Sequence, residues 1–121
     1  AATFAKPLIT HSDGDMTPLL DCWLELGQAA IHPIQPDVMD IEAVKARYGS
    51  RIAIVGNISM ADLVQQQPEQ IEAQVRRRIE VVGRGGGYII SSSNSLTDDM
   101  KPENIRAMAH AISVARRSGT E

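Results

Sequence analysis

The sequence predicts an α/β fold built from four strand–helix units in a row, with parallel strands. Short runs rich in Ile, Val and Ala alternate four times with segments whose apolar residues recur every three or four positions. Gly, Pro or a capping side chain marks each change of period. At 121 residues the chain is long enough for one core and short for two, so residues 1–121 read as a single domain. Each helix carries the chain back to start the next parallel strand, through a right-handed crossover. Two architectures share this pattern, a small open doubly wound sheet and part of a barrel. The pattern alone favours the open sheet, because four strands cannot close a (β/α)8 ring.

The first strand is read from Pro7 to His11, and it ends in the turn-forming stretch Ser12-Asp13-Gly14-Asp15. Thr17-Pro18 opens a helix, since the first helical turn does not need the N–H that proline lacks. Leu19, Leu20, Trp23, Leu24 and Leu26 follow at helical spacing, and Gly27 stops them. Cys22 falls in the same stripe, which predicts a buried packing role. The second strand runs from Ala29 to Ile34 and is followed by a loop containing Gln35-Pro36-Asp37. Asp40 caps a helix over Ile41 to Tyr48, and Gly49 ends it.

Arg51 to Ile58 is the clearest strand of the chain. Its helix begins near Pro68-Glu69, buries Ile71, Val75, Ile79 and Val82, and closes at Gly83. The fourth strand, Tyr88 to Ser93, follows the glycine run Gly85-Gly86-Gly87. The last helix starts at Pro102-Glu103 and is expected to bury Ile105, Met108, Ala109 and Ile112. Arg116 to Glu121 reads as a polar, frayed tail.

A formal charge of −3 gives no basic field for nucleic acid or anionic lipid. The run Arg76-Arg77-Arg78 sits beside Glu72 and Glu80 and reads as a solvated helix face. A single cysteine forbids an internal disulfide and a Cys-rich zinc site, and it is compatible with a reducing compartment. No apolar run is long enough to span a bilayer, and no charged-then-apolar leader opens the chain. The expectation is a cytoplasmic protein with no nucleic-acid or membrane partner. The first residue is Ala, so the chain is read as processed, trimmed or part of something longer.

In parallel α/β folds, ligands bind at the carboxyl ends of the strands. Those ends are polar here: His11, Ser12 and Asp13; His32 and Gln35; Asn57 and Ser59; Ser91, Ser92, Ser93 and Asn94. Adjacent parallel strands bring them to one rim, which makes His11, His32, Gln35, Asn57 and Ser92 candidate substrate-binding residues. The plainer reading is that strand-end Ser and Asn cap helices or satisfy loop backbone, and that His32, before Pro33, is a loop residue. His11 and Asp13 lie on the same face of an extended segment, a spacing that suits a metal pair or an oriented histidine, although two ligands do not make a metal site. His110, in the last helix, reads as structural or surface. The glycine run precedes a strand, where a dinucleotide fingerprint follows one, and no P-loop or nucleophile elbow is present.

His11-Ser12-Asp13-Gly14-Asp15, then Asp40-Ile41 with Lys45 and Tyr48-Gly49, then Gly56-Asn57-Ile58 and Gly86-Gly87-Tyr88-Ile89 occur in that order. Pro102-Glu103-Asn104 with Ala107-Met108 ends the series. The ordered series resembles the uroporphyrinogen decarboxylase superfamily, which also holds corrinoid-linked methyltransferases, over about residues 6 to 115. The resemblance implies the C-terminal half of a (β/α)8 barrel, four βα units of eight. It therefore implies a partner: a second copy in a homodimer, or the missing N-terminal half, which in this family supplies an arginine and an aspartate to the substrate.

The resemblance also assigns roles. A histidine follows the last strand of the decarboxylases, and Asn94 stands in its place. The methyltransferases bind zinc through a His-x-Cys pair and a later cysteine. Here His11 is kept, Asp13 stands where the first cysteine belongs, and Asn94 stands where the second does. Ser59 replaces the usual aspartate after Gly-Asn-Ile. Asp13 and Asn94 are accordingly the candidate catalytic residues, and His11 with Asp13 the candidate metal ligands. The implied activity is tetrapyrrole decarboxylation, which needs no cofactor because the substrate's pyrrole ring takes up a proton and serves as electron sink. The implied alternative activity is methyl transfer to a zinc-activated thiol. Against both stands a non-catalytic family fragment that acts as a binding or oligomerisation module.

Overall fold

Four parallel strands lie side by side in chain order: β1 (Ile9–His11), β2 (Ala30–His32), β3 (Ala53–Ile58) and β4 (Tyr88–Ser92). The fold is that of a computed structural model, which describes residues 6–118. The order never reverses, as it must in a doubly wound sheet. With right-handed crossovers, an unreversed order puts every connecting helix on the same side of the sheet. The architecture is thus an arc of a barrel, and the open-sheet alternative favoured by the pattern alone is set aside.

The register shows the two sides. Thr10 pairs with Ile31, Ile31 with Ile54 and Ile54 with Tyr88. Ile31 and Ile54 are buried, and Tyr88 packs on the same cluster, so this row faces the helices. Because side chains alternate along a strand, Ile9, His11, His32, Val55 and Ile89 point to the concave side. There Ile9 is 54% and Ile89 53% exposed, whereas Ile54 and Ile58 on the helix side are 0% exposed.

The helices follow local chemistry. A 3₁₀ turn, Thr17–Leu19, leads into α1 (Leu20–Glu25) with Pro18 in its first turn. In α1 only Leu20 is fully buried, with Trp23 and Leu24 packed on the core. Leu19 and Leu26 are exposed, and Cys22 is exposed and free, against the expected buried stripe. The short helix turns one narrow face to the sheet, and Cys22 lies off it.

Helix α2 (Ile41–Tyr48) has the expected bounds, and Asp40 Oδ1 accepts from the N–H groups of Glu42 and Ala43 at 2.9 and 3.3 Å. Helix α4 (Pro68–Val81) begins with a reciprocal cap in which the Gln67 N–H donates to Gln70 Oε1 at 2.9 Å. Arg76 and Arg77 form the expected ion-paired, solvated face, whereas Arg78 is half-buried with its Nε unpartnered, and Glu80 takes no part in these pairs. Arg76 meets Glu72 at 3.2 Å, while Arg77 and Arg78 reach Glu42 on α2 at 2.9 and 3.5 Å.

The sequence reading missed α3 (Met60–Gln65), capped by Ser59 Oγ, which accepts from the Asp62 N–H at 3.4 Å. In α5 (Pro102–Ser118), Asn104, Ala107 and Ala111 are buried, while Ile105, Met108 and Ile112 are only half covered and Ala109 is exposed. Small residues allow α5 to approach α4 closely, which rotates the expected stripe partly out of the core. Arg116 and Arg117 belong to the last turn of α5, where cations suit the helix dipole. The expected frayed tail is therefore helical through Ser118, and positions 119–121 lie outside the described residues. Among the described residues no helix is long and apolar enough to cross a membrane.

Candidate functional site

The carboxyl ends of the four strands meet at one rim. His11 and His32 close β1 and β2 as register partners. Their rings lie 4.8 Å apart between centroids, tilted by 30°, with Nδ1 to Nδ1 at 2.6 Å. His32 Nε2 then faces the carbonyl oxygen of Ser92, the last residue of β4, at 3.2 Å. A hydrogen-bonded line thus crosses the concave face from the first strand to the last.

A second link joins the same two ends. Asn94 Nδ2 lies 3.3 Å from each carboxylate oxygen of Asp13, 81 positions away. Asp13 Oδ2 in turn lies 3.7 Å from His11 Nε2. The Gly14 N–H donates to Gln35 Oε1 at 2.7 Å, which ties the loop carrying Asp13 to the loop after β2. Gly14 has φ 89°, a conformation that side chains resist and glycine accepts.

These loops enclose a cleft of about 370 Å³ lined by Asp13, Gln35, Asp37, Met60, Ser93 and Asn94. Asp13, Gln35 and Asn94 are thus brought together as anticipated, with His11 and His32 beside them. Asn57 and Ser92 do not line the cleft. Asn57 is 1% exposed and donates from Nδ2 to Ile34 O at 2.7 Å, which fixes the strand end from inside. Ser92 Oγ donates to Asn94 O at 2.7 Å and shapes the loop that presents Asn94.

Asp37 and Met60 were not selected from the sequence. Met60 opens α3, and the Ser59-x-x-Asp62 spacing is the capping signature that announces that helix. Among the described residues, the charged side chains lining the cleft are the two carboxylates of Asp13 and Asp37, and no Lys or Arg lines it. Beyond its edge, Asp15 accepts from the Thr17 N–H at 2.9 Å, and hydrogen bonds from Thr17 hold its carboxyl below the usual range.

Zinc takes three or four His, Cys or carboxylate donors. His11 and Asp13 are two, and the third neighbour is the Asn94 amide, which turns its NH₂ toward the carboxylate. Among the described residues no group of three or more His, Cys, Asp or Glu side chains is placed to hold a metal. This donor set does not fit zinc.

A family model described as Uroporphyrinogen decarboxylase (URO-D) matches residues 1–114. A uroporphyrinogen decarboxylase of Methylococcus capsulatus is 35% identical over 92 residues, covering 74% of this chain and 26% of that protein. One from Cellvibrio japonicus is 33% identical over 73 residues, covering 60% of this chain and 20% of that protein. The chain thus spans about a quarter of the length of the relatives it matches. Among solved structures, a methyltransferase from Methanosarcina mazei superposes with a TM-score of 0.77 at 18% identity, over 95% of this chain and 33% of that one. That likeness speaks for the fold.

Proposed function

We propose that this chain, which belongs to the uroporphyrinogen decarboxylase family, forms one wall of a small-molecule active site that a second half-barrel completes. The proposed reaction is decarboxylation of a tetrapyrrole in the cytoplasm. The supporting observation is that Asp13 and Asn94, from the first and last strand ends, are hydrogen-bonded to each other at 3.3 Å and line one cleft with Gln35. Decarboxylation of this type asks the protein to orient the substrate and to place dipoles around it, with the substrate's own ring as electron sink. No cation lines the cleft, so the groups that neutralise substrate carboxylates come from the completing half. That half is either a second copy of this chain or the remaining length that the relatives carry.

Zinc-dependent methyl transfer is the weaker reading, because His11, Asp13 and the Asn94 amide do not make a zinc donor set. A non-catalytic binding module is favoured by one observation. The Asn94 amide is committed at both ends, to Asp13 and to the Ser95 N–H at 2.8 Å, and an amide does not shuttle protons.

The test is uroporphyrinogen consumption by the chain alone and mixed with the N-terminal two-thirds of the Methylococcus capsulatus enzyme. Turnover that falls at least tenfold in Asp13→Ala supports the decarboxylase reading. Binding without turnover, both by the chain alone and in the mixture, replaces it with the binding module.

A further inference from the structure

The tautomers of the two rim histidines follow from their contacts. A backbone carbonyl only accepts hydrogen bonds, so the Ser92 oxygen at 3.2 Å requires a proton on His32 Nε2. In neutral His32 the other nitrogen, Nδ1, is then bare. At 2.6 Å two bare nitrogens repel and two N–H groups collide, so a single proton lies between the rings, and it belongs to His11 Nδ1. Neutral His11 therefore carries its lone pair on Nε2. That atom is 3.7 Å from Asp13 Oδ2, beyond hydrogen-bond distance, and the His11 side chain is 50% exposed.

We infer that His32 is a positioning residue which, anchored by the Ser92 carbonyl, locks His11 with an open Nε2 acceptor beside the cleft. The ligand group this atom receives is an N–H or O–H donor. The inference deepens the small-molecule reading of the rim and rests on it for the presence of a ligand. Its geometry is independent of turnover. With Asp13 and Asp37 the rim becomes a surface of acceptors, which suits a donor-bearing ring and disfavours an anion at this edge.

The experiment is ¹⁵N NMR of the imidazole nitrogens in the full chain, at a pH where both rings are neutral. Pyrrole serves as the probe, because it carries one N–H donor, and N-methylpyrrole, which has none, is the control. The expected spectrum shows His32 protonated at Nε2 and His11 protonated at Nδ1. Pyrrole shifts the bare His11 Nε2 signal toward the protonated range, and N-methylpyrrole leaves it in place. His32→Gln converts His11 to a mixture of tautomers and weakens the pyrrole response. A His11 proton on Nε2 in the unsubstituted chain overturns the inference, as does an absent pyrrole response or an equal shift with both probes. If the tautomers and the pyrrole shift are found but uroporphyrinogen is not consumed, only the decarboxylase reading fails.

Discussion

Asn104 is fully buried at the start of α5, and its Nδ2 donates to the carbonyls of Leu63 and Gln66 at 3.0 Å each. It therefore caps the carboxyl end of α3, the helix whose first residue, Met60, lines the cleft. Asn104→Ala removes two buried hydrogen bonds, a net loss of about 1–3 kcal/mol. Neither carbonyl is orphaned, because Leu63 O also accepts from the Lys101 N–H at 3.3 Å and Gln66 O from Lys101 Nζ at 2.9 Å. The cavity left by the amide adds about 1 kcal/mol. Losing Oδ1, which is buried without a partner in the fold, gives back about as much. The expected net cost is about 2 kcal/mol, or a fall in Tm of roughly 8 °C at this size. Urea unfolding, with an unchanged m-value, measures it. Asn104→Asp decides the mechanism, because it keeps the volume and removes the donors. If donation matters, the aspartate variant at pH 7 is the more damaged of the two, and it recovers as lower pH restores an O–H. A loss under about 0.5 kcal/mol for alanine, or alanine worse than aspartate at pH 7, would refute the capping argument.

Three further outcomes are expected. Gly56 has φ 128°, and a Cβ there would sit 2.1 Å from the Pro33 carbonyl oxygen, so Gly56→Ala costs more than about 3 kcal/mol and thermal melts show a largely unfolded chain. Burial pushes the Tyr88 phenol well above its ordinary 10.0, with Arg78 pulling weakly the other way. Its contribution to stability is complete below pH 10 and is lost as pH rises further, because the unfolded phenol ionises where the native one does not. Urea unfolding from pH 9 to 11 then shows a steeper alkaline loss for the native chain than for Tyr88→Phe, and parallel curves contradict the assignment. Ile9→Asp and Ile89→Asp charge the exposed concave face, and native mass spectrometry is expected to show the unsubstituted chain as a dimer or complex and both variants as monomers. A monomeric unsubstituted chain removes the second copy as the completing half and leaves the remaining length that the relatives carry.

The elements with strong local chemistry were legible in the sequence. Asp40 ahead of Ile41 and Pro68 ahead of a regular apolar stripe fixed α2 and the start of α4, because caps and period act within a few residues. Helix α3 escaped because six residues hold too few turns to show a period, although its Ser59 cap was in plain view. Cys22 and Ala109 were misplaced for a different reason. A stripe read at ideal spacing does not reveal how far a helix is rotated by its neighbour, and α4 sets that for α5. The rim was legible as a list of strand ends, which is why Asp13, Gln35 and Asn94 were found. The His11–His32 contact was not, since it depends on register between strands 21 positions apart.

The choice between open sheet and barrel arc could not come from hydrophobicity, and the reason bears on function. Strands of parallel sheets are apolar on both faces in either architecture, so Ala53-Ile54-Val55 reads alike in both. The strand order decides the matter. An unreversed order with right-handed crossovers stacks all helices on one side and leaves Ile9 and Ile89 facing solvent beside Val55. Exposing such a face costs roughly 25 cal/mol for each Å² of apolar surface that a cover would bury. The two outer strands each also leave one edge of N–H and C=O groups open to pairing. A cover of four further strands removes both penalties together, and it places new side chains opposite a cleft whose own charged lining is acidic. On the proposed reading, one completing half covers the apolar concave face and brings cations to the acidic rim, so a test of assembly and a test of carboxylate binding are one experiment.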